Sequence, residues 1–325
     1  MSPEIRVATR TSPLARAQAT SIARIVGELT GRPYSLVTVT SEGDRRSGPL
    51  AEMGGVGVFV AAVREAVLAG EADIAVHSLK DLPTAEADGL TLAAVPLRGD
   101  HRDALVIAQD DYPVDDPGSG EKLADPNVLV TGARVGTGSP RRAAQLRRLR
   151  PDVEVVGIRG NVGTRLSRVS SGDVDAVVVA MAGLQRLGLA DRARPWDPKH
   201  VLPAPGQGAL AIEANEGLAK VDPELSQALS RLNHGLTRAS VTAERTLLAE
   251  LEAGCSAPVG AWAHEDESGP ESGLRLTAVV TSVDGLDEIR MTEIGSVRQP
   301  EQLGRALAAR MLESGAGPAW WENSK

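Results

Sequence analysis

Residues 73–83 read DIAVHSLKDLP. Ile74, Ala75 and Val76 form a short apolar run; His77, Ser78, Lys80 and Asp81 follow at once, and Pro83 then stops any regular element. This pattern predicts a buried strand that delivers ionisable groups at its carboxyl end, where ligands of open α/β sheets bind. The same letters also describe a strand end with solvated charges and one core-facing histidine.

Upstream, Ile5 to Ala8 reads as a first strand. Ser12 and Pro13 then have the chemistry of an N-cap and a first helical residue, and Ile22, Ile25, Val26 and Leu29 share one face of the helix that follows. Gly31 and Pro33 end that helix, and Leu36 to Val39 is the next strand. The stretch from Ser41 to Gly57 is polar and glycine-rich, a candidate lid that includes Gly54 and Gly55, and Phe59 opens a helix that closes at Gly70. Leu90 to Val95 is a further strand.

Beyond it, Arg98 to Asp100 predicts a crossing into a second lobe, with Ala104 to Ala108 as its first strand. Val128 to Val135 reads as another strand, leading into Gly136, Thr137, Gly138, Ser139, Pro140, Arg141 and Arg142. The earlier syntax of strand, polar turn, Ser-Pro and helix is thus repeated, with Ser12 and Ser139 127 positions apart. Two copies predict two similar α/β lobes, each opening a helix N-terminus, a natural anion site, toward a shared cleft. Val153 to Ile158 is a strand ending in Arg159 and Gly160, Asp175 to Met181 is buried, and a short helix carries Arg186. Pro203 to Gly208 (PAPGQG) reads as a return crossing, with Leu210 to Glu213 as a strand of the first lobe. After that the rhythm changes: helices over Glu224 to Leu232 and Thr237 to Leu251, three strands with Asp284-Gly285 as a hairpin turn, and a closing helix over Leu303 to Leu312.

The expected fold class is therefore α/β: two periplasmic-binding-protein-like α/β domains plus a small C-terminal α+β domain. Domain 1 takes residues 1–99 and 206–227, domain 2 takes 100–205, and domain 3 takes 228–325.

The chain has 325 residues, 42% hydrophobic and 24% charged, which suits a soluble globular protein with two or three cores. The start, MSPEIRVATR, lacks the apolar core of an export signal, no apolar run is long enough for a bilayer, and there is a single cysteine, Cys255; the expectation is a cytoplasmic protein. A net charge of −8 and an aromatic content of 2% argue against nucleic acid as a partner.

Arg10, Arg141, Arg142, Arg159, Arg165 and Arg186 all follow strand ends or open helices, so all could line one cleft and bind carboxylate or phosphate through their planar forks. Arg147, Arg148 and Arg150 lie further round their helix and are expected in solvent. GTGSPRR lacks a P-loop lysine, which disfavours nucleotide phosphates. The five histidines are scattered without metal-ligand spacing, so no metal is expected. Cys255, on a glycine turn in LEAGCSAPVG, is either a covalent attachment point or an incidental thiol.

ATRTSPLA, DIAVHSLKDLP, VGTGSPRR, RGNVGTRL, AGLQRLGL, PAPGQGA, TAERTLL and LEAGCSAPVG, in that order from residue 8 to about residue 260, resemble the porphobilinogen deaminase (hydroxymethylbilane synthase) family. The resemblance implies stepwise head-to-tail condensation of four porphobilinogen units to a linear tetrapyrrole, with loss of four ammonia molecules, by a monomer. It implies a dipyrromethane cofactor carried covalently by Cys255 and held by Ser78, Lys80, Asp81, Thr137, Ser139, Arg141, Arg142 and Gly160. It also implies Asp81 as the catalytic acid and base, substrate contacts from Arg10, Ser12, Arg159, Arg165, Arg186 and Gln207, and a lid containing Gly54, Gly55 and Phe59. The chain departs from the family pattern at Glu52 and Val56, where lysines are common, and at Gly138 and Pro140, where serine and leucine are common. A competing reading is a non-catalytic two-lobed protein that clamps a carboxylated ligand, with Cys255 inert.

Overall fold

The computed structural model describes residues 3–40, 57–108, 123–124, 126–254, 257–267, 273–318 and 320. The chain divides into two compact units, Met1–Gly99 with Gly208–Ala239, and Asp100–Gln207 with Ser240–Lys325.

In the first unit, strands β1 (Ile5–Arg10), β2 (Tyr34–Val39), β3 (Ile74–Ser78) and β4 (Leu90–Ala94) are joined by β10 (Leu210–Asn215), which returns from the second crossing. The sheet order is β2-β1-β3-β10-β4, parallel except where β10 runs against β3 and β4. Helix α1 (Pro13–Thr30) packs Ile22 and Val26 on one sheet face, over Ile5, Val7, Ile74 and Ile212. Helix α2 (Gly57–Leu68) brings Val63 and Val67 to Ala8 and Ala75 on the other. Alternate residues of each strand thus face opposite helices, so these strands read as nearly continuous apolar runs. After β10 come α6 (Leu218–Val221) and α7 (Pro223–Leu232). Leu225, Ala228 and Leu229 of α7 join the same core as α1. The division between the two units falls within α8 (Gly235–Glu250).

The second unit repeats the plan. Its strands are β5 (Asp103–Ile107), β6 (Arg134–Thr137), β7 (Glu154–Gly157), β8 (Ala176–Ala180) and β9 (Arg194–Pro195), in the order β7-β6-β8-β5-β9, with β5 antiparallel to β8. The match to the first sheet is position for position: β6 stands where β1 does, and β5 takes the place of β10. Helices α3 (Pro140–Leu149), α4 (Val162–Ser170) and α5 (Met181–Arg186) follow β6, β7 and β8. The strand expected over Val128 to Val135 is mostly irregular. Gly132 turns the chain with φ +78°, Leu129 and Ala133 are buried on either side of it, and only Arg134–Thr137 pairs. The same unit holds an antiparallel sheet of β11 (Val259–Asp266), β12 (Gly273–Thr281) and β13 (Glu288–Ser296), with α9 (Pro300–Glu313) burying Leu303, Leu307 and Met311.

Arg147, Arg148 and Arg150 are not simply solvated. Arg147 Nη1 donates to Val283 O at 2.8 Å and Arg148 Nη1 to Leu286 O at 2.9 Å, which ties α3 to the β12–β13 hairpin, while Arg150 Nη2 reaches Leu129 O at 2.8 Å. Their long stems let exposed helix positions reach carbonyls that a hairpin tip leaves unpaired.

Candidate active site

β1 and β3 are parallel neighbours, so their carboxyl ends lie side by side. After β3 the chain makes one 3₁₀ turn, Leu79–Asp81, closed by Leu82 N donating to Leu79 O at 3.0 Å. Leu79 and Leu82 are buried, which pins the turn at both ends and leaves Lys80 and Asp81 half-buried between them. Gln18 of α1, itself buried, donates from Nε2 to Ser78 Oγ at 3.0 Å. At the end of β1, Arg10 is half-buried, and Ser12 caps α1 by accepting from Ala15 N at 3.3 Å, with Pro13 at the first helical position. The first unit thus gathers Arg10, Ser12, Ser78, Lys80 and Asp81 at one sheet edge.

The second unit does the same at the carboxyl ends of β6, β7 and β8. Ser139 caps α3, with Arg142 N 3.5 Å from its Oγ and Pro140 first in the helix, and Thr137 Oγ1 accepts from Ser139 N at 3.2 Å. Gly160 has φ +103°, and a Cβ there would lie 2.8 Å from Thr164 Cγ2, so only glycine fits. Its carbonyl accepts from Arg165 Nε at 3.0 Å. Arg159 is exposed and Arg186 half-buried, and burial pulls the Arg186 guanidinium below its ordinary value.

The six arginines are not equivalent. Arg141 and Arg142 are interior groups, 3% and 5% exposed, and both pair with Asp103. Arg141 Nη1 donates to Asp103 Oδ2 at 2.6 Å and to Leu202 O at 2.6 Å, and Arg142 Nε donates to Asp103 Oδ1 at 2.8 Å. Gln207 is buried in the same network, donating to Asp103 Oδ1 at 2.8 Å and to His101 O at 2.9 Å and accepting from Arg142 Nη2 at 3.2 Å. Burial alone would raise the Asp103 carboxyl, but the two guanidiniums hold it well below the usual range. The sequence reading set all six arginines and Gln207 facing a ligand. Three of these seven side chains are committed to an internal carboxylate which that reading did not single out. The available signal was Asp103 itself, an acid opening a strand that is otherwise wholly apolar.

Gly54, Gly55 and Cys255 lie outside the described residues, as do Glu52 and Val56; Phe59 falls in the first turn of α2. Among the described residues no group of His, Cys, Asp and Glu could hold a metal.

A family model described as "Porphobilinogen deaminase, dipyromethane cofactor binding domain" matches residues 5–222, and a second, "Porphobilinogen deaminase, C-terminal domain", matches residues 239–313. The chain belongs to the porphobilinogen deaminase family. Among curated porphobilinogen deaminases, that of Mycolicibacterium paratuberculosis is 50% identical over 318 residues, which is 96% of this chain and 95% of the relative. That of Thermobifida fusca is 50% identical over 319 residues, 96% of this chain and 94% of the relative. The solved structures that the chain resembles more distantly include a glycine betaine/carnitine/choline ABC transporter, at 12% identity and a TM-score of 0.43 over 78% of this chain and 92% of that one. Five of the sequence blocks that carry the deaminase resemblance, ATRTSPLA, DIAVHSLKDLP, VGTGSPRR, RGNVGTRL and AGLQRLGL, fall at the two sheet edges just described.

Proposed function

We propose that this chain is a porphobilinogen deaminase, a transferase of tetrapyrrole biosynthesis, that joins four porphobilinogen units head to tail, releases four ammonia molecules and yields linear hydroxymethylbilane from a dipyrromethane primer on Cys255. The observation that carries this reading is the Ser78–Asp81 turn, with its lysine and aspartate between two buried leucines, beside Arg10 and Ser12 in a chain of this family.

The residues present fit the cofactor. Dipyrromethane carries acetate and propionate groups and two pyrrole N–H donors. Around Asp103 two guanidiniums face one carboxylate, a local excess of positive charge, and the buried Arg141 Nε has no hydrogen-bond partner among the described residues. An excess buried cation is costly unless an anion completes it. Thr137, Ser139 and Gly160 stand at the same sheet edge with the N-terminus of α3, whose dipole also favours an anion. When bound, the group supplies a nucleophilic pyrrole carbon and a primer that is not released.

The other roles fall to this chain's residues. Lys80 and Ser78 hold cofactor carboxylates, with Ser78 oriented by Gln18. Arg10, Ser12, Arg159, Arg165 and Arg186 receive the acetate and propionate of each incoming monomer. Asp81, the one carboxylate on the turn, accepts hydrogen bonds from pyrrole N–H groups, gives a proton to the departing amine and stabilises the cation left behind. Arg141, Arg142 and Gln207 set the charge of the second sheet edge through Asp103. We further read the protein as three domains and as a cytoplasmic monomer. No helix among the described residues is long and apolar enough to cross a membrane.

The test is incubation with porphobilinogen, measuring ammonia released and linear tetrapyrrole formed. Purified protein should exceed its chain mass by two pyrrole units, and Cys255→Ser should remove both the extra mass and the activity. Turnover by a protein of bare-chain mass would exclude the primer.

A further inference from the structure

One residue before the Ser78–Asp81 turn, the first unit buries a cluster of charged and polar groups. His77 of β3, Glu213 of β10 and Arg64 of α2 meet between the sheet and the helix. Arg64 closes a two-bond fork on the carboxylate, Nε to Oε2 at 2.9 Å and Nη2 to Oε1 at 2.7 Å. His77 Nε2 stands 3.1 Å from Oε2. His77 is 7% exposed and Glu213 4%. The strand register creates the meeting: Ala211 pairs with His77 and Glu213 with Ala75, so residues on one face of both strands look toward α2. β4, the other neighbour of β10, is LTLAA and brings no ionisable group.

A buried ion pair seldom stabilises a fold more than apolar side chains of the same volume would. What the cluster does fix is the relative position of three elements and the last residue before the turn. The path onward is short. Leu210 pairs with Ser78, and Leu79 N donates to Ala209 O at 3.0 Å, so β10 carries the turn's first residues on its own backbone. Gln18 restrains Ser78 from one sheet face, and the cluster restrains His77 from the other.

We propose that Glu213 is a positioning residue for the reaction: through His77, and braced by Arg64, it sets the height of the Ser78–Asp81 turn relative to the substrate. This rests on the deaminase reading, with Asp81 as the group that moves the proton. Arg64 matters because an unescorted buried carboxylate rises toward neutral pH and protonates. Among the described residues the charged and titratable groups that face Glu213 are Arg64 and His77.

The experiment compares wild type, Arg64→Met and the charge-neutral double variant Arg64→Met/Glu213→Gln, each as full-length protein with its cofactor mass verified. Porphobilinogen turnover is followed between pH 5 and 9, beside thermal melting. Arg64→Met should add an acid-side limb to kcat that wild type lacks. The double variant should lack that limb, melt within a few degrees of wild type, and show kcat lowered roughly tenfold at all pH values with KM nearly unchanged, the pattern of a lost transition-state contact. The proposal is overturned if the double variant has wild-type kcat, if kcat falls only in step with the folded fraction, or if Arg64→Met keeps the wild-type pH profile. Should Arg64→Met not fold, the double variant carries the test alone. Wild type that leaves porphobilinogen unchanged would count against the deaminase reading, a different result from any of these.

Discussion

Asp81 owes its position to two leucines. With Leu79 and Leu82 buried, the 3₁₀ turn cannot rotate Asp81 inward, and a half-buried carboxylate on so short a turn has little freedom to drift. Replacing it with asparagine keeps the shape and removes the exchangeable proton. Asp81→Asn should lower kcat by about two to four orders of magnitude. Its melting temperature should stay close to wild type, since no buried partner is lost. Steady-state assay and calorimetry on the same preparation check both halves. Asp103 should behave in the opposite way. Asp103→Asn strands two buried guanidiniums and should cost about 3–5 kcal/mol of stability by urea unfolding, whereas the exposed Arg159→Ala should change it by less than about 0.5 kcal/mol. This contrast also marks what could be read from sequence. HSLKD announced itself because polar groups follow an apolar run without a gap. The burial of Arg141, Arg142 and Gln207 did not, because it depends on Asp103, 38 residues from Arg141 along the chain. No local pattern joins them.

At the level of elements, helix starts were legible and strand extents less so. Ser12 and Ser139 each have extended backbone, a proline at the next position and a side-chain oxygen turned to the third residue on, all of it encoded within four letters. The strand expected over Val128 to Val135 failed because apolar letters alone do not distinguish a paired strand from a buried irregular segment broken by Gly132. Helix α4 was missed although Asn161 caps it, its side chain accepting from Thr164 N at 2.9 Å. Arginine and glycine masked the periodicity there. The DG hairpin was legible as a turn but not as a docking point. Gly285 has φ +83°, and a Cβ there would lie 2.8 Å from Ala144 O and 2.9 Å from Arg148 N, against the backbone of α3. Gly285→Ala combines left-handed strain with a clash against backbone that cannot swing away. It should destabilise the protein by on the order of 3 kcal/mol. Asp284→Ala, with the exposed neighbour changed instead, should cost much less, and paired melting curves separate the two.

Over the whole molecule, the repeated strand order explains how one chain builds two sheet edges of similar chemistry, and each unit keeps a buried carboxylate ionised by arginine: Glu213 with Arg64 in the first, Asp103 with Arg141 and Arg142 in the second. Burial alone would raise the Glu213 carboxyl, but His77 and Arg64 together lower it from 4.5 to about 2. A carboxyl that titrates lower in the folded than in the unfolded chain contributes stability that is complete above the unfolded value and disappears as pH falls toward the folded one. For Glu213 that window runs from about pH 4.5 down to about pH 2, and the shift corresponds to about 3 kcal/mol. Asp103 is displaced in the same direction, so acid should weaken both units. Trp196, Trp262 and Trp320 belong to the second unit, so tryptophan fluorescence reports on that unit, and the effect of Glu213 is read by far-ultraviolet circular dichroism. Urea unfolding of wild type and Glu213→Gln at a series of pH values should give a stability gap that is widest above pH 5 and narrows steadily toward pH 2. A gap that stays constant with pH would mean that the carboxylate's charge, held by Arg64 and His77, is not what stabilises the fold.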